Sequence, residues 1–277
     1  MAKLLVFTDL HMLPEGKTII GLDPVQRFSA GLAHALRLHP DADRLIITGD
    51  LTHHGDRESY LRLKALLDGL PVPVSITIGN HDERETFLSV FSQAARDENG
   101  FVQETVDLPD ARLVILDTYI PTRRGEADYA SGLLCEKRLD WLDRQLLDAG
   151  ERPVLIFMHH PPHDTGFKGM DAIKLRNGDA FYDLVGRHGN VRHLFAGHVH
   201  RTIGGSHRGI PFSIFKSPLH QQPMPFDIDD TSSSVDEPGA YGIVVTTPHG
   251  LQVHTEDFEI AARARTALDR AEGGLSG

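Results

Sequence analysis

The chain is 277 residues long, carries 28 basic against 39 acidic side chains for a net charge of −11, and contains one cysteine, Cys135. That length suits one large α/β domain, or a domain with an added lobe, with a buried core. The charge balance, without any Lys/Arg-rich block, argues against a protein that grips nucleic acid, and a lone cysteine precludes an intrachain disulfide.

Lys3 to Thr8 reads as a short buried strand. Asp23-Pro24 opens a helix that aligns Phe28, Leu32, Ala35 and Leu36. Arg44 to Thr48 is a second buried strand running into Gly49-Asp50. A helix from Asp56 to Leu70 and a strand from Val72 to Ile78 lead to Gly79-Asn80-His81. Glu83 to Ala94 reads as a helix, and Phe101 to Val106 and Ala111 to Asp117 as antiparallel strands about a Pro-Asp turn. Glu136 to Asp148 is helical, with Leu139, Leu142 and Leu146 aligned, and Pro153 to Met158 is a strand ending at His159-His160. Arg176 to His188 is the expected last core helix, and Val191 to Ala196 a strand ending at Gly197-His198-Val-His200. Ile210 to Phe215, Tyr241 to Thr246 and Leu251 to Glu256 complete a β-rich end. Gln221 to Gly239, rich in Pro, Asp and Ser, reads as a loop or lid, and the residues after Ile260 as an Ala/Arg/Glu tail. There is no internal repeat. No stretch approaches the roughly 18 apolar residues of a membrane span, and the apolar run after Met1 is too short for a secretory signal. The cytoplasm is therefore the expected compartment.

Histidine is the unusual count, with 17 in the chain. Asp9, Asp50, Asn80, His159 and His198 each follow an apolar strand, and loops at the carboxyl ends of strands in α/β sheets converge on one edge. The pattern comprises Asp9-Leu-His11, Gly49-Asp50, Gly79-Asn80-His81-Asp82, His159-His160 and Gly197-His198-Val-His200. Oxygen and imidazole donors without thiolates suit divalent Mn, Fe, Co or Zn. In Asp-x-His and His-x-His the two side chains lie two residues apart, so an extended strand end turns both toward one pocket. Gly49, Gly79 and Gly197 give the backbone room to turn. Each motif alone is weak, since Asp-x-His and Gly-Asp are common at surface turns; all of them in order, each after a strand, are not a coincidence of turns.

Together these motifs resemble the signature of the calcineurin-like metallophosphoesterases. Ile78-Gly-Asn-His-Asp, Phe157-Met-His-His-Pro-Pro, Phe195-Ala-Gly-His-Val-His and Leu219-His220-Gln221 are similar, more narrowly, to bacterial class III cyclic-nucleotide phosphodiesterases and related glycerophosphodiesterases. The resemblance covers residues 1–258, with 221–239 as a lid or cap loop, and leaves the tail 259–277 unmatched. It implies an α/β (α+β) fold, a four-layer αββα sandwich, with two divalent or mixed-valence metal ions (Fe, Mn, Zn or Co) at the sheet edges. Asp9, His11 and His200 would hold the first ion, Asn80, His159 and His198 the second, and Asp50 would bridge them. A metal-bound hydroxide would attack the phosphorus of a small phosphodiester, a 3′,5′-cyclic nucleotide such as cyclic AMP, with a glycerophosphodiester or a broad range of monoesters as the alternative. Asn80, His81 and His220 would contact substrate. His81, unable to share Asn80's metal easily, would protonate the leaving group or bind a phosphate oxygen, work suited to imidazole.

The remaining residues receive blander readings. Asp82 is expected to cap the helix at Glu83, ahead of a supporting role beside the ligands. His53 and His54 read as solvated, His160 as a support for the ligands, and His163 with Asp164 as lining the entrance. Gly49-Asp50-Leu-Thr lacks the arginine that protein serine/threonine phosphatases carry behind Gly-Asp, and Asp82 stands where they carry glutamate. Neither nucleic acid nor membrane is an expected partner. A non-catalytic scaffold would require missing ligands, and none is missing. Assembly is left open, a homo-oligomer included.

Overall fold

A computed structural model describes residues 1–122, 125–126, 128–247 and 249–259. The chain runs β1 (Lys3–Phe7), α1 (Pro24–Leu38), β2 (Arg44–Thr48), α2 (Arg57–Leu67), β3 (Val74–Thr77), α3 (Arg84–Val90), β4 (Glu104–Asp107) and β5 (Arg112–Leu116). It continues through α4 (Glu136–Ala149), β6 (Val154–Met158), α5 (Lys168–Ala172), α6 (Gly178–His188), β7 (Val191–Ala196), β8 (Ile203–His207), β9 (Ile210–Ile214), β10 (Ala240–Thr247) and β11 (Gly250–Asp257). The strands form two sheets, one in the order β11-β10-β1-β2-β3 and one in the order β4-β5-β6-β7-β9-β8. Strands β1-β2-β3 are parallel in the first sheet, with β3 at its edge, and β5-β6-β7-β9 are parallel in the second.

The apolar strands are continuous rather than alternating because both faces of each sheet are covered. Along β1, Leu4 and Val6 point between the sheets while Leu5 and Phe7 point at the helices. The second sheet repeats this: Leu113, Ile115, Leu155 and Phe157 share the middle layer, and Val114, Leu116, Ile156 and Met158 pack on the outer helices. In the middle layer Phe157 stacks on Phe195 with centroids 4.5 Å apart. Helices outside, sheets inside: this is the four-layer αββα sandwich.

The helices form where caps and periodicity agree. Asp23 accepts from the backbone N–H of Val25 and Gln26, Pro24 follows, and Phe28, Leu32 and Ala35 bury the inner face of α1. On α4, Trp141, Leu142 and Leu146 are buried as the spacing requires. Other expectations need correction. The helix expected over Glu83–Ala94 ends at Val90, and the strand expected from Phe101 begins only at Glu104. The Asp97 carboxylate takes the N–H groups of Asn99 and Phe101, and Asp117 takes that of Val102, so a side-chain-bonded turn replaces the ladder there. Strand β8, sequence Ile-Gly-Gly-Ser-His, went unforeseen because glycine removes the apolar alternation that marks a strand. The short helix α5 was likewise missed.

The loop 221–239 is tied down at several points. Gln221 and Val235 exchange backbone hydrogen bonds, Arg201 pairs with Glu237, and Phe226 sits edge-on to Phe167. The expected tail lies, beyond Glu259, outside the described residues.

Candidate metal centre

The parallel strands of both sheets end on one edge of the sandwich, and the loops that leave β1, β2, β3, β6 and β7 meet there. How they present their side chains differs from the expectation of extended strand ends. Asp9 (φ 55°), His11 (49°), Asp50 (46°), His198 (70°) and His200 (52°) all occupy left-handed backbone, a region costly for any residue with a Cβ. Each Asp-x-His or His-x-His pair is thus aimed by two left-handed turns, not by strand alternation. Close approach explains two of the glycines. A Cβ on Gly79 would lie 2.3 Å from Asp50 Oδ1, and one on Gly197 would lie 1.9 Å from Thr8 Oγ1.

Two groups of donors result. In the first, His11 Nε2 is 3.1 Å from His200 Nε2, His200 Nε2 is 3.3 Å from Asp9 Oδ1, and His11 Nε2 is 3.8 Å from Asp50 Oδ2. In the second, His159 Nε2 is 3.3 Å from the same Asp50 Oδ2 and 3.1 Å from Asn80 Oδ1, and His198 packs against His159 with centroids 5.1 Å apart. One oxygen of Asp50 therefore faces both groups, while its other oxygen accepts the His81 backbone N–H at 2.8 Å.

The tautomers are set from behind. His159 Nδ1–H donates to the Thr48 carbonyl at 2.8 Å and His200 Nδ1–H to the His220 carbonyl at 2.9 Å, so each Nε2 turns toward the cluster. Asp9 is held by the His198 backbone N–H, at 3.1 and 3.0 Å from its two oxygens.

Cations fit this donor set. The buried His198 Nε2 has no hydrogen-bond partner, and no lysine or arginine among the described residues pairs with the buried carboxylates of Asp9 or Asp50. Without metal the site must hold protons instead. Burial opposes charge on His159, yet the Asp50 carboxylate beside it lifts this imidazole to about 9. His198, buried next to His159, falls to about 3. Packed carboxylates and imidazoles of this kind are what two divalent ions neutralise.

Several readings of neighbouring residues change. Asp82 does not cap α3, whose N-cap is Glu83 without a side-chain hydrogen bond. It lies buried beneath the site and accepts from the backbone N–H groups of Leu51, Thr52 and Gly79 and from the Thr52 and Tyr60 hydroxyls. Burial and the nearby Asp50 charge push its carboxyl up to about 6. His53, read as solvated, is half-buried in the cluster, with Nδ1 3.1 Å from His11 Nδ1 and its ring stacked on His81. Neighbouring His54 is exposed, as expected. His163 does not line an entrance either: it is buried against Tyr182, His207 and Phe212 with Nδ1 2.8 Å from the Tyr182 hydroxyl. Asp164 pairs with Lys174 on the surface. The supporting role of His160 suits its contacts, since both nitrogens are taken by Thr118 and the Ala130 carbonyl.

The residues read as substrate contacts lie around the donors. His81 Nδ1–H donates to the His53 carbonyl at 3.0 Å, which leaves Nε2 unengaged 4.8 Å, ring to ring, from His11. His220 is buried with neither ring nitrogen bonded, 4.7 Å from the His200 ring, and burial drives it down to about 2.

Fold and site together define a phosphoesterase-type two-metal centre on an αββα sandwich. The comparisons are specific: the calcineurin-like phosphoesterase family model matches residues 2–202. A probable cyclic nucleotide phosphodiesterase of Rhodopseudomonas palustris is 40% identical over 92% of each chain. The 3′,5′-cyclic adenosine monophosphate phosphodiesterase CpdA of Pseudomonas aeruginosa is 33% identical over 78% of this chain and 75% of its own. A probable glycerophosphodiester phosphodiesterase of Arcobacter nitrofigilis is 31% identical over 90% of each. In fold, a dimetal phosphatase of Danio rerio is similar with a TM-score of 0.68 at 17% identity, covering 92% of this chain and 98% of that one. The chain belongs to the calcineurin-like phosphoesterase family, and it is a hydrolase built around two metal ions. Among the described residues no helix is long and apolar enough to cross a membrane.

Proposed function

We propose that the protein hydrolyses small phosphodiesters, 3′,5′-cyclic nucleotides such as cyclic AMP foremost, with residues 1–258 as the catalytic unit and 221–239 as its cap. The observation that carries the diester reading is what surrounds the metal centre. A monoester carries about two negative charges at neutral pH and a diester one, and a dianion rewards a free arginine clamp. Here the nearby cations are spent elsewhere: Arg84 on Asp117, Arg201 on Glu237 and Lys216 on Asp257. What faces the ester is imidazole and amide, not guanidinium. The cyclic-nucleotide reading is supported by the relatives from Rhodopseudomonas palustris and Pseudomonas aeruginosa.

Asp9, His11 and His200 would hold one ion and Asn80, His159 and His198 the other, with Asp50 shared; the imidazole and oxygen donors suit Mn, Fe, Co or Zn. When bound, such ions activate water at neutral pH and draw charge from the phosphoryl oxygens. The chain's own groups do the rest. The Asn80 amide and a His220 ring N–H bind phosphoryl oxygens and orient the ester. His81 releases a proton from Nε2 to the departing alkoxide, its ring fixed by the His53 carbonyl behind it. Chemistry of this kind needs no oxidising compartment, and we place the enzyme in the cytoplasm.

A panel of cyclic AMP, AMP and glycerophosphoethanolamine tests the reading on metal-reconstituted enzyme. Cyclic AMP should exceed AMP in kcat/KM by about tenfold. A tenfold preference for AMP over every diester overturns the diester reading. Turnover of glycerophosphoethanolamine without cyclic AMP moves the enzyme to the glycerophosphodiesterase branch, which the Arcobacter relative supports.

A further inference from the structure

Beside the metal centre, on the far side of His53, lies a cavity of about 420 Å³ that the chemistry above does not use. Its walls are Leu13, Pro14 and Ile19 from the loop after β1 and His53 and His54 from the loop after β2, with Lys17 at the rim. The volume falls in the roughly 300–1,000 Å³ range of small-molecule pockets. His53 belongs to both spaces, since its Nδ1 is 3.1 Å from His11 Nδ1 and its ring stacks on His81 at 4.9 Å. His53 thus joins the two spaces, and a substrate whose phosphate lies at the metals has this cavity beside it.

We propose that this cavity is a nucleoside subsite, which takes the base of a cyclic nucleotide while the phosphate is held at the metals; this rests on the diester reading above. Shape and surface both argue for a flat heteroaromatic ring. The His53 and His54 rings, at 62° with centroids 4.5 Å apart, line the cavity together with Leu13, Pro14 and Ile19, so that imidazole and aliphatic surface bound the same space. The rim supplies the sign of the charge. Lys17 is exposed, and its ammonium has no ion-pair partner among the described residues. An ammonium there meets the acceptor nitrogens of a purine favourably and the ammonium of ethanolamine or choline unfavourably. The same lysine thus favours nucleosides and rejects cationic glycerophosphodiester headgroups.

The test uses wild type, Lys17→Glu and Ile19→Ser with reconstituted metal. Lys17 makes no side-chain contact that the fold needs, so its variant keeps the question open if Ile19→Ser destabilises the loop. Either variant should raise KM for cyclic AMP about tenfold with little change in kcat. Lys17→Glu should also lower KM for glycerophosphoethanolamine. Free adenosine should compete against bis(4-nitrophenyl) phosphate in wild type and lose that effect in both variants. If cyclic AMP is not a substrate but adenosine still competes through Lys17 and Ile19, the subsite stands and the cyclic-nucleotide assignment falls. If adenosine does not compete and neither variant moves KM for any nucleotide, the subsite is wrong.

Discussion

Asp82 offers the sharpest test of how the centre is held. Its carboxylate is the common acceptor for three fixed backbone donors, the N–H groups of Leu51, Thr52 and Gly79. Asp82→Ala orphans all three. A buried donor left unpaired costs about 1–3 kcal/mol, so the sum starts near 3; a water entering the space would recover part of it. A loss of about 3–5 kcal/mol is expected, against a typical domain stability of about 5–15 kcal/mol. The damage should be local as well as global, because the clamped residues flank Asp50 and Asn80. Asp82→Asn is the informative companion. Its amide can keep one oxygen for Leu51 and Gly79 and turn its NH2 toward the Thr52 and Tyr60 hydroxyls, which can rotate to accept; only the Thr52 N–H is left facing a donor. It should cost about 1–2 kcal/mol. Urea unfolding at pH 7.5, metal content, and turnover of an aryl diester would be measured together. If Asp82→Ala unfolds within about 1 kcal/mol of wild type and keeps its metals, the clamp is not what positions the Asp50 turn.

The Asp50 carboxylate faces both donor groups, so Asp50→Ala should lose both metal equivalents by elemental analysis; tight retention of two would refute the bridge. Gly197→Ala should cost about 1–3 kcal/mol and weaken metal binding, since the new methyl meets Thr8 and Asp9, whereas Gly186→Ala, in open space on α6, should be neutral or stabilising. His193, buried beside Phe195 and bonded to Ser213, is held by burial at about 4 against an unfolded value of 6.5. Its folded pKa is depressed, so its contribution is present above pH 6.5 and is lost as pH falls toward 4. Between pH 7.5 and 5 wild type should lose about 2 kcal/mol that His193→Gln does not lose, and parallel pH–stability curves would refute this.

The proposed ligands stand out in the sequence because metal-binding chemistry restricts residue type and apolar strands announce where their loops begin. Asp9, His11, Asp50, Asn80, His159, His198 and His200 do come together, and their donor atoms crowd within a few ångströms. Sequence could not show how they are aimed, because a left-handed turn at Asp9 or His198 is dictated by the close contacts around it, and neither residue is a turn former by necessity. Asp82 was misread for a related reason. A carboxylate just before a helix usually caps it, and only the return of the chain at residues 51–52 offers it better donors. His53 and His163 were misplaced because burial of a loop histidine depends on partners distant in sequence: His11 for one, Tyr182 and His207 for the other.

The left-handed ligands carry a cost beyond catalysis. Asp9, His11, Asp50, His198 and His200 sit where glycine or asparagine would relax the backbone, at about 1 kcal/mol or more apiece. At these positions selection for a sturdier fold and selection for a loaded metal centre pull in opposite directions. A descendant freed from turnover would therefore gain stability by surrendering its ligands, and the loss would be hard to reverse.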